Sequence, residues 1–379
     1  MATDAPQQPF THADLAQALR RAVLAQPWAQ ARDRRRGGLP FTHPPSLDLA
    51  VAVLPRDGAP VWANLLFSRE LPQGHVADIG ADAGAVRGVR WLADPVDDAG
   101  TSIAWQPGSD WQQISFERLH GDGPLRFVAP YPASLIKLMV AVGVARQVDQ
   151  GAASWSMPWA HAGESRSLAD WAEPMITVSS NAATDALVAW LHACGALQRD
   201  DAGHEGVNRL HELFAAQGLP TLRLAGTTAQ GGWRNADGSG VGQLQMTAWD
   251  TVRLLWRTLE VAAPWLPAGA APMLSRDSRQ RLWGWLAGQA LNEVLSTKSL
   301  TQRPGWRAGI AGAFAHKTGT TETYAADAGL FVPGPGHRVL IALLTTLGRC
   351  SAPHEACATD WCVPQVGAAV EAWLKERLA

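Results

Sequence analysis

The stretch SLIKLMVAVGVARQVDQG, residues 134–151, decides how the rest of the chain is interpreted. Its apolar residues recur at helical spacing and Gly151 ends the pattern, so we predict a helix that begins at Ser134. The sequence before it has a strand-like pattern, because two apolar runs, residues 47–54 and 61–67, are joined by the turn-forming sequence PRDGAP. Strand-like sequence therefore gives way to helical sequence at Ser134.

Helical signals continue along the chain to about residue 300. Ser167 and Thr247 each stand three positions before an aspartate, Asp170 and Asp250, which is the spacing of a helix N-cap. After residue 310 the sequence returns to strand-like runs, and residues 364–378 follow them with the pattern of a C-terminal helix. The other helices of the middle region are predicted over residues 181–194, 207–217, 247–260 and 276–291.

Strands near both chain ends and helices between them favour one architecture. We predict an α+β fold in which an antiparallel sheet takes strands from both ends, is flanked by helices and carries an inserted all-helical lobe. Residues 1–45 are expected to form an N-terminal helical extension, and residues 46–379 the main domain. Within that domain the helical lobe covers about residues 150–300, and the sheet lobe about residues 46–133 and 301–379.

Smaller elements near the N-terminus complete the predicted fold. Thr11 and Asp14 form a capping box for a first helix, which we expect to end at the basic residues 32–36. Residues 114–119 and 125–129 flank a Gly-Asp-Gly turn and are predicted to pair as a hairpin. The segment between residues 69 and 110 shows no clear period and is predicted to be an insertion.

The composition excludes several classes of protein. With 379 residues, 47% hydrophobic and 17% charged, the chain can bury a large core and is not of the disordered class. A net charge of −2 gives no basic field for a phosphate backbone, so we expect no nucleic-acid partner. No apolar run approaches the ~18 residues of a membrane helix. The N-terminal residues also lack the pattern of a signal peptide, which leaves the compartment open.

Three short motifs carry groups suited to nucleophilic chemistry. They are Ser134-x-x-Lys137, Ser179-Ser180-Asn181 and Lys317-Thr318-Gly319-Thr320. Residues three apart share one helix face, so the Lys137 amine can reach the Ser134 hydroxyl. Serine is a weak nucleophile at neutral pH, and lysine can be its base only if burial or a second cation lowers the lysine pKa. Each motif alone is more often a cap or a turn, but all three in this order favour a catalytic site.

The third motif supplies the second cation. Lys317 is expected to disfavour charge on the first lysine and to attract an anionic substrate, whose carboxylate the hydroxyls of Thr318 and Thr320 would bind. Gly319 is expected to let the substrate backbone approach the strand closely. In the second motif, Ser179 is suited to carry a proton to the leaving group and the neighbouring asparagine to hold a substrate amide.

With these motifs the chain resembles the class A β-lactamases and penicillin-binding D,D-peptidases. The resemblance covers about residues 110–379, through the stretches PYPASLIKLMVAVGVARQVDQG, MITVSSNAATDALVAWL and AHKTGT. It implies a β-lactamase-like serine hydrolase domain in which Ser134 is acylated and Lys137 is its base. It further implies an oxyanion hole of the backbone N–H groups of Ser134 and Thr320. The substrate groups it implies are Ser179, Asn181, Lys317, Thr318 and Thr320.

The chain departs from the class A pattern at two points. Ser180 stands where that pattern has aspartate. The loop RLAGTTAQGGWRNADGSGVGQLQ lacks the glutamate that activates the deacylating water. Its one acid, Asp237, could replace that base, but Gly238 and Gly240 follow it and favour a turn residue. We therefore expect cleavage of an amide or ester, β-lactam or D-Ala-D-Ala-like peptide, with slow deacylation. The alternative is a non-hydrolytic penicillin-binding or sensor protein.

A second group of residues could bind metal instead. Cys350, His354, Cys357 and Cys362 lie close in sequence and could hold zinc, form a disulfide or remain thiols. Their spacing matches no standard zinc pattern, so a disulfide or thiols are the favoured interpretation. We expect a monomer with no metal, no cofactor and no membrane segment, acting on a small molecule or peptide that bears a carboxylate.

Overall fold

A computed structural model describes residues 9–34, 37–41, 43–97, 102–106, 108–199, 205–232, 244–296, 307–352 and 361–378. The predicted N-caps are present, since the side chains of Thr11, Ser167 and Thr247 each accept a hydrogen bond from the backbone N–H three residues on. No helix in these ranges is long and apolar enough to cross a membrane. The helices are α1 (His12–Leu24), α2 (Lys137–Asp149), α3 (Leu168–Thr177), α4 (Asn181–Ala193), α5 (Arg209–Ala216), α6 (Ala248–Arg257), α7 (Arg276–Ala287) and α8 (Cys362–Leu378).

The strands form one large sheet and several small ones. The strands are β1 (Arg32–Asp33), β2 (Leu39–Pro40), β3 (Leu47–Pro55), β4 (Val61–Phe67), β5 (His75–Val76), β6 (Val89–Ala93), β7 (Arg118–His120), β8 (Leu125–Ala129), β9 (Pro158–His161), β10 (Glu164–Ser167), β11 (Leu197–Arg199), β12 (Glu205–Asn208), β13 (Arg223–Leu224), β14 (Leu244–Gln245), β15 (Phe314–Thr320), β16 (Ala325–Gly334), β17 (His337–Thr345) and β18 (Ser351–Ala352). The large sheet is antiparallel and has the order β15-β16-β17-β3-β4-β5. It therefore joins both ends of the chain, and the predicted α+β fold is confirmed.

Both faces of the large sheet are buried, which explains the continuous apolar runs of its central strands. On β3, Ala50 and Ala52 face the core that the sheet shares with α2, α3, α4 and α6. The alternate residues Val51 and Val53 face the second core, which α1 and α8 close on the other side. The sheet is consequently a rigid central layer, and the active-site strand β15 forms one of its edges.

Two local predictions were wrong. The first helix ends at Leu24 rather than at residues 32–36, because Pro27 follows, and Arg32 instead begins β1 and pairs with β2 and β18. Strands β7 and β8 do not pair with each other, because β6 lies between them and runs parallel to β8. The unpredicted strand β6 belongs to the segment expected to be an insertion, and its five residues are too few to show a period.

A buried carboxyl links the large sheet to α6. Asp48 on β3 accepts hydrogen bonds from Asn64 Nδ2 at 2.6 Å and from the backbone N–H of Ala248, the first residue of α6, at 2.8 Å. Its side chain is fully enclosed, and burial raises the pKa of Asp48 from 3.8 to about 7. Between pH 3.8 and about pH 7, the folded protein therefore keeps a proton on Asp48 that the unfolded chain has released.

We predict that this proton makes stability fall as pH rises. Between pH 4 and pH 7 the folded chain binds more protons at Asp48 than the unfolded chain, so the free energy of unfolding decreases across that interval. The neutral variant Asp48→Asn should lose this decrease, which is on the order of 3 kcal/mol. Urea unfolding at pH 4 and pH 8 measures it. Asp57→Asn, in the exposed turn between β3 and β4, is the control, and equal decreases in both variants would refute the assignment.

Candidate active site

Ser134 lies in a short 3₁₀ helix, Ala133–Ile136, that leads directly into α2. In a 3₁₀ helix the side chains of residues i and i+3 eclipse each other. The Lys137 amine accordingly lies 3.1 Å from the Ser134 hydroxyl oxygen, as the spacing predicted. Ala133 enters the turn with φ of 49°, a left-handed conformation that costs a non-glycine residue energy.

The Lys137 amine is enclosed by acceptors from the second motif. Nζ lies 2.6 Å from the Ser179 carbonyl oxygen and 2.7 Å from Asn181 Oδ1, and these two atoms can only accept. A neutral amine has two N–H groups, and these two acceptors occupy both of them. The hydroxyls of Ser134 and Ser179, both at 3.1 Å, can each donate to the remaining lone pair. A neutral Lys137 is therefore fully satisfied here and faces the serine hydroxyl as a base would.

Ser179 lies between α3 and α4 and has φ of 59°. This strained conformation brings its hydroxyl between two amines, because Lys317 Nζ lies 3.0 Å from the same Oγ. Ser180, which replaces the aspartate of the class A pattern, caps α4 by accepting from the Ala183 backbone N–H at 3.2 Å. The substitution thus preserves the helix start that positions Asn181.

Lys317 occupies the middle of β15 and is 0% exposed. Its amine also donates to the Thr318 carbonyl oxygen at 2.7 Å. Burial lowers the pKa of Lys137 to about 8, while the charge of Asp185 opposes that shift. Burial, and then the charge on Lys137, lower the pKa of Lys317 to about 7. The two buried amines share one hydroxyl partner, and their pKa values lie close to neutral pH. One of the two can therefore be neutral there.

Gly319 lies against the turn that carries the nucleophile. A Cβ atom at this position would lie 2.5 Å from the Pro132 carbonyl oxygen and 2.8 Å from the Ser134 backbone nitrogen. An added side chain would therefore collide with the backbone of that turn. Only glycine lets β15 lie this close to Ser134.

The two threonines of the third motif differ in their surroundings. Thr318 is 1% exposed at the centre of the strand. The Thr320 hydroxyl donates to Glu293 Oε1 at 2.8 Å, and Arg349 donates to the same oxygen at 3.1 Å. Sequence reasoning missed Glu293 and Arg349, because both lie in loops without a motif or a period.

The loop over residues 223–245, where class A β-lactamases carry the deacylating glutamate, lies only partly within the described residues, and Asp237 lies outside them. Its described part packs on α4, since a Cβ at Gly231 would lie 2.4 Å from the Asp185 carbonyl oxygen. Burial raises the pKa of the half-buried Asp185 carboxyl, and the charges of His161 and Lys137 oppose that shift. Asp185 was also missed, although its position one helical turn after Asn181 could have indicated it.

The candidate metal ligands are only partly described. His354 and Cys357 lie outside the described residues, and the Cys350 thiol donates to a Glu322 carboxylate oxygen at 2.9 Å. Over the ranges that the structure covers, no three His, Cys, Asp or Glu side chains lie close enough to hold a metal ion.

Fold and site together define a serine hydrolase, with a hydroxyl and a buried lysine amine between a helical lobe and an antiparallel sheet. The model of the β-lactamase enzyme family matches residues 129–361, which contain all three motifs. The chain belongs to that family, as the resemblance predicted. No curated protein sequence matches the chain.

Solved structures of this fold include both branches of the resemblance. A mutant of PBP-A in an acyl-enzyme complex with penicillin G is 17% identical over 98% of this chain and 99% of that chain, with a TM-score of 0.52. A class A β-lactamase from Bacteroides cellulosilyticus is 14% identical over 97% and 99%, with a TM-score of 0.52. The TLA-1 extended-spectrum β-lactamase is 12% identical over 97% and 100%, also at 0.52. At these identities the likeness shows the shared fold.

We predict that Gly319→Ala retains the fold but slows acylation of Ser134 on the order of 100-fold, because the added methyl group pushes β15 away from the nucleophile. Acylation by a fluorescent penicillin, followed by stopped flow, measures the rate. Gly284→Ala is the matched control, since nothing lies within 4 Å of a Cβ at that position. Equal rates in the two variants would contradict the packing argument.

The two lysines also predict a pH dependence. We expect the reactive form to hold one proton between the two amines, with Lys137 neutral as the base and Lys317 charged to attract the substrate. Because Lys137 has the higher pKa, this is the less populated of the two one-proton forms, but its population follows the same pH dependence. With pKa values of about 8 and about 7, the acylation rate should be bell-shaped with its maximum between pH 7 and pH 8. Asp185→Asn should move the profile to lower pH, because the Asp185 charge favours the Lys137 ammonium. A rate constant independent of pH from 6 to 9 would exclude this scheme.

Proposed function

We propose that the protein cleaves an amide or ester bond, a β-lactam or a D-Ala-D-Ala-like peptide, through an acyl-Ser134 intermediate. The observation that carries the proposal is the Lys137 amine, which is buried, has its N–H bonds occupied by acceptors and faces the Ser134 hydroxyl. Ser134 Oγ attacks the carbonyl carbon while its proton passes to Lys137 Nζ.

The oxyanion then forms between backbone N–H groups. Gly319, which precedes Thr320 on β15, packs closely on the 3₁₀ helix that carries Ser134, and this supports the N–H groups of Ser134 and Thr320 as the oxyanion hole. As the tetrahedral intermediate collapses, the Ser179 hydroxyl passes a proton to the leaving nitrogen or oxygen. It recovers a proton from the amine network that it bridges.

The remaining groups bind the substrate. Asn181 directs its amide oxygen to Lys137, so its two N–H bonds remain for a substrate carbonyl. Lys317 provides positive charge on β15, and we assign the hydroxyl of Thr318, the next residue along the strand, to a substrate carboxylate. Thr320 can contribute its hydroxyl once Glu293 releases it.

Deacylation is proposed to be slow. Hydrolysis of the acyl-enzyme needs a base beside the attacking water, and the loop over residues 223–245 contains no glutamate. The same observation favours a second candidate function, a non-hydrolytic penicillin-binding sensor. The two differ in turnover, since a sensor would form a stable adduct and hydrolyse no ester or peptide.

Intact-mass spectrometry with penicillin G tests the proposal. The wild-type protein should gain the mass of one penicillin, the adduct should persist for minutes or longer, and Ser134→Ala should show no adduct because it lacks the nucleophile. A wild-type protein that stays unmodified would refute the acyl-enzyme proposal. Rapid loss of the adduct would instead show that another group, Asp237 first, activates the water.

A further inference from the structure

An acidic side chain binds Thr320, one of the groups expected to bind the substrate carboxylate. Glu293 Oε1 accepts from the Thr320 hydroxyl at 2.8 Å and from the Arg349 guanidinium at 3.1 Å. A threonine hydroxyl has a single proton, so Thr320 cannot donate to Glu293 and to a substrate carboxylate together. Arg349 is likewise already paired with an anion.

The acid is fixed in this place by its neighbours. The Glu293 side chain is only 11% exposed, whereas that of Arg349 is 48% exposed. The adjacent residue Asn292 receives a hydrogen bond from the buried His316 ring at 3.1 Å, and the Leu295 backbone N–H donates to Asp327 at 3.0 Å. The loop that carries Glu293 is thus anchored to β15 and β16, and its carboxylate is held against the end of the active-site strand.

Arg349 is anchored in the same manner on the other side. Its backbone N–H donates to the Thr321 carbonyl oxygen at 3.0 Å, and that of Gly348 donates to Thr323 at 2.9 Å. The guanidinium therefore lies beside the end of β15, with part of its surface open to solvent. An incoming carboxylate would meet this cation and the Glu293 anion at the same point.

We propose that Glu293 is a specificity-determining residue, an internal competitor for the substrate carboxylate at Thr320 and Arg349. A carboxylate-bearing acyl donor must displace it, whereas an uncharged ester or amide need not. The negative charge of Glu293 consequently shifts the preference of the site toward uncharged acyl donors. A neutral residue at position 293 would shift it toward donors that bear a carboxylate. The inference rests on the proposed function, because it concerns the specificity of the same acylation.

A matched pair of substrates tests the inference. The second-order rate constants of acylation are measured for penicillin G and for its methyl ester, which keeps the β-lactam but lacks the negative charge. Glu293→Gln keeps the side-chain size and removes the charge. It should raise the ratio of the penicillin G rate to the ester rate about tenfold, the scale of one charge-assisted hydrogen bond.

The pH of the assay matters, because the Glu293 charge also favours the ammonium form of Lys317. The assay is therefore run at pH 6, below the Lys317 pKa of about 7, so that the lower Lys317 pKa of the variant has less effect on this cation. The cost of protonating the base Lys137 affects both substrates equally and cancels in the ratio. Glu322→Gln is the control variant, because that exposed acid lies in the next loop and its carboxylate pairs with the Cys350 thiol.

Two outcomes separate this inference from the proposed function. Adducts at Ser134 with an unchanged ratio in Glu293→Gln would overturn the inference and leave the acyl-enzyme intact, whereas no adduct with either substrate would overturn the proposed function. Arg349→Gln provides an independent variant and should lower the ratio, because it removes the cation and leaves the anion. A ratio that is unchanged in Arg349→Gln would also count against the competition.

Discussion

The site depends on the burial of two lysine amines around one hydroxyl. Lys137 and Lys317 both lie within hydrogen-bond distance of Ser179 Oγ, and both are almost fully enclosed. Charge on both amines is unfavourable in such surroundings, since burial and mutual repulsion each disfavour the ammonium form. One amine is therefore available as a base near neutral pH, and the hydroxyl between them connects it to the second.

Three distant parts of the chain maintain this arrangement, and each departs from ordinary geometry where it reaches the site. The nucleophile turn is entered through Ala133 and the second motif through Ser179, both with positive φ. The third part is β15, which only a glycine at position 319 allows against the turn. Strained backbone conformations persist where the surrounding structure holds them in place. In this protein the large sheet, which is buried on both faces, and the core of the helical lobe hold these segments.

Acidic groups oppose the shift of each lysine. Asp185 favours charge on Lys137, and Asp327 and Glu293 favour charge on Lys317. Because different acids act on each lysine, the pKa values of the two amines can differ although the amines share a hydrogen-bond partner. Glu293 connects this balance to substrate choice, because the same carboxylate that acts on Lys317 also holds Thr320 and Arg349.

The sequence by itself determined the α+β class, the sheet from both chain ends, the helix caps and the three motifs, because period and spacing are local properties. Only the tertiary structure decided that β6 separates β7 from β8, that Gly319 faces Ser134, and that Glu293 meets Thr320 and Arg349. Glu293 is 27 residues from one partner and 56 from the other. Loops carry no periodic signal, so contacts across such separations arise only when the packed sheet and helices fix where the loops end.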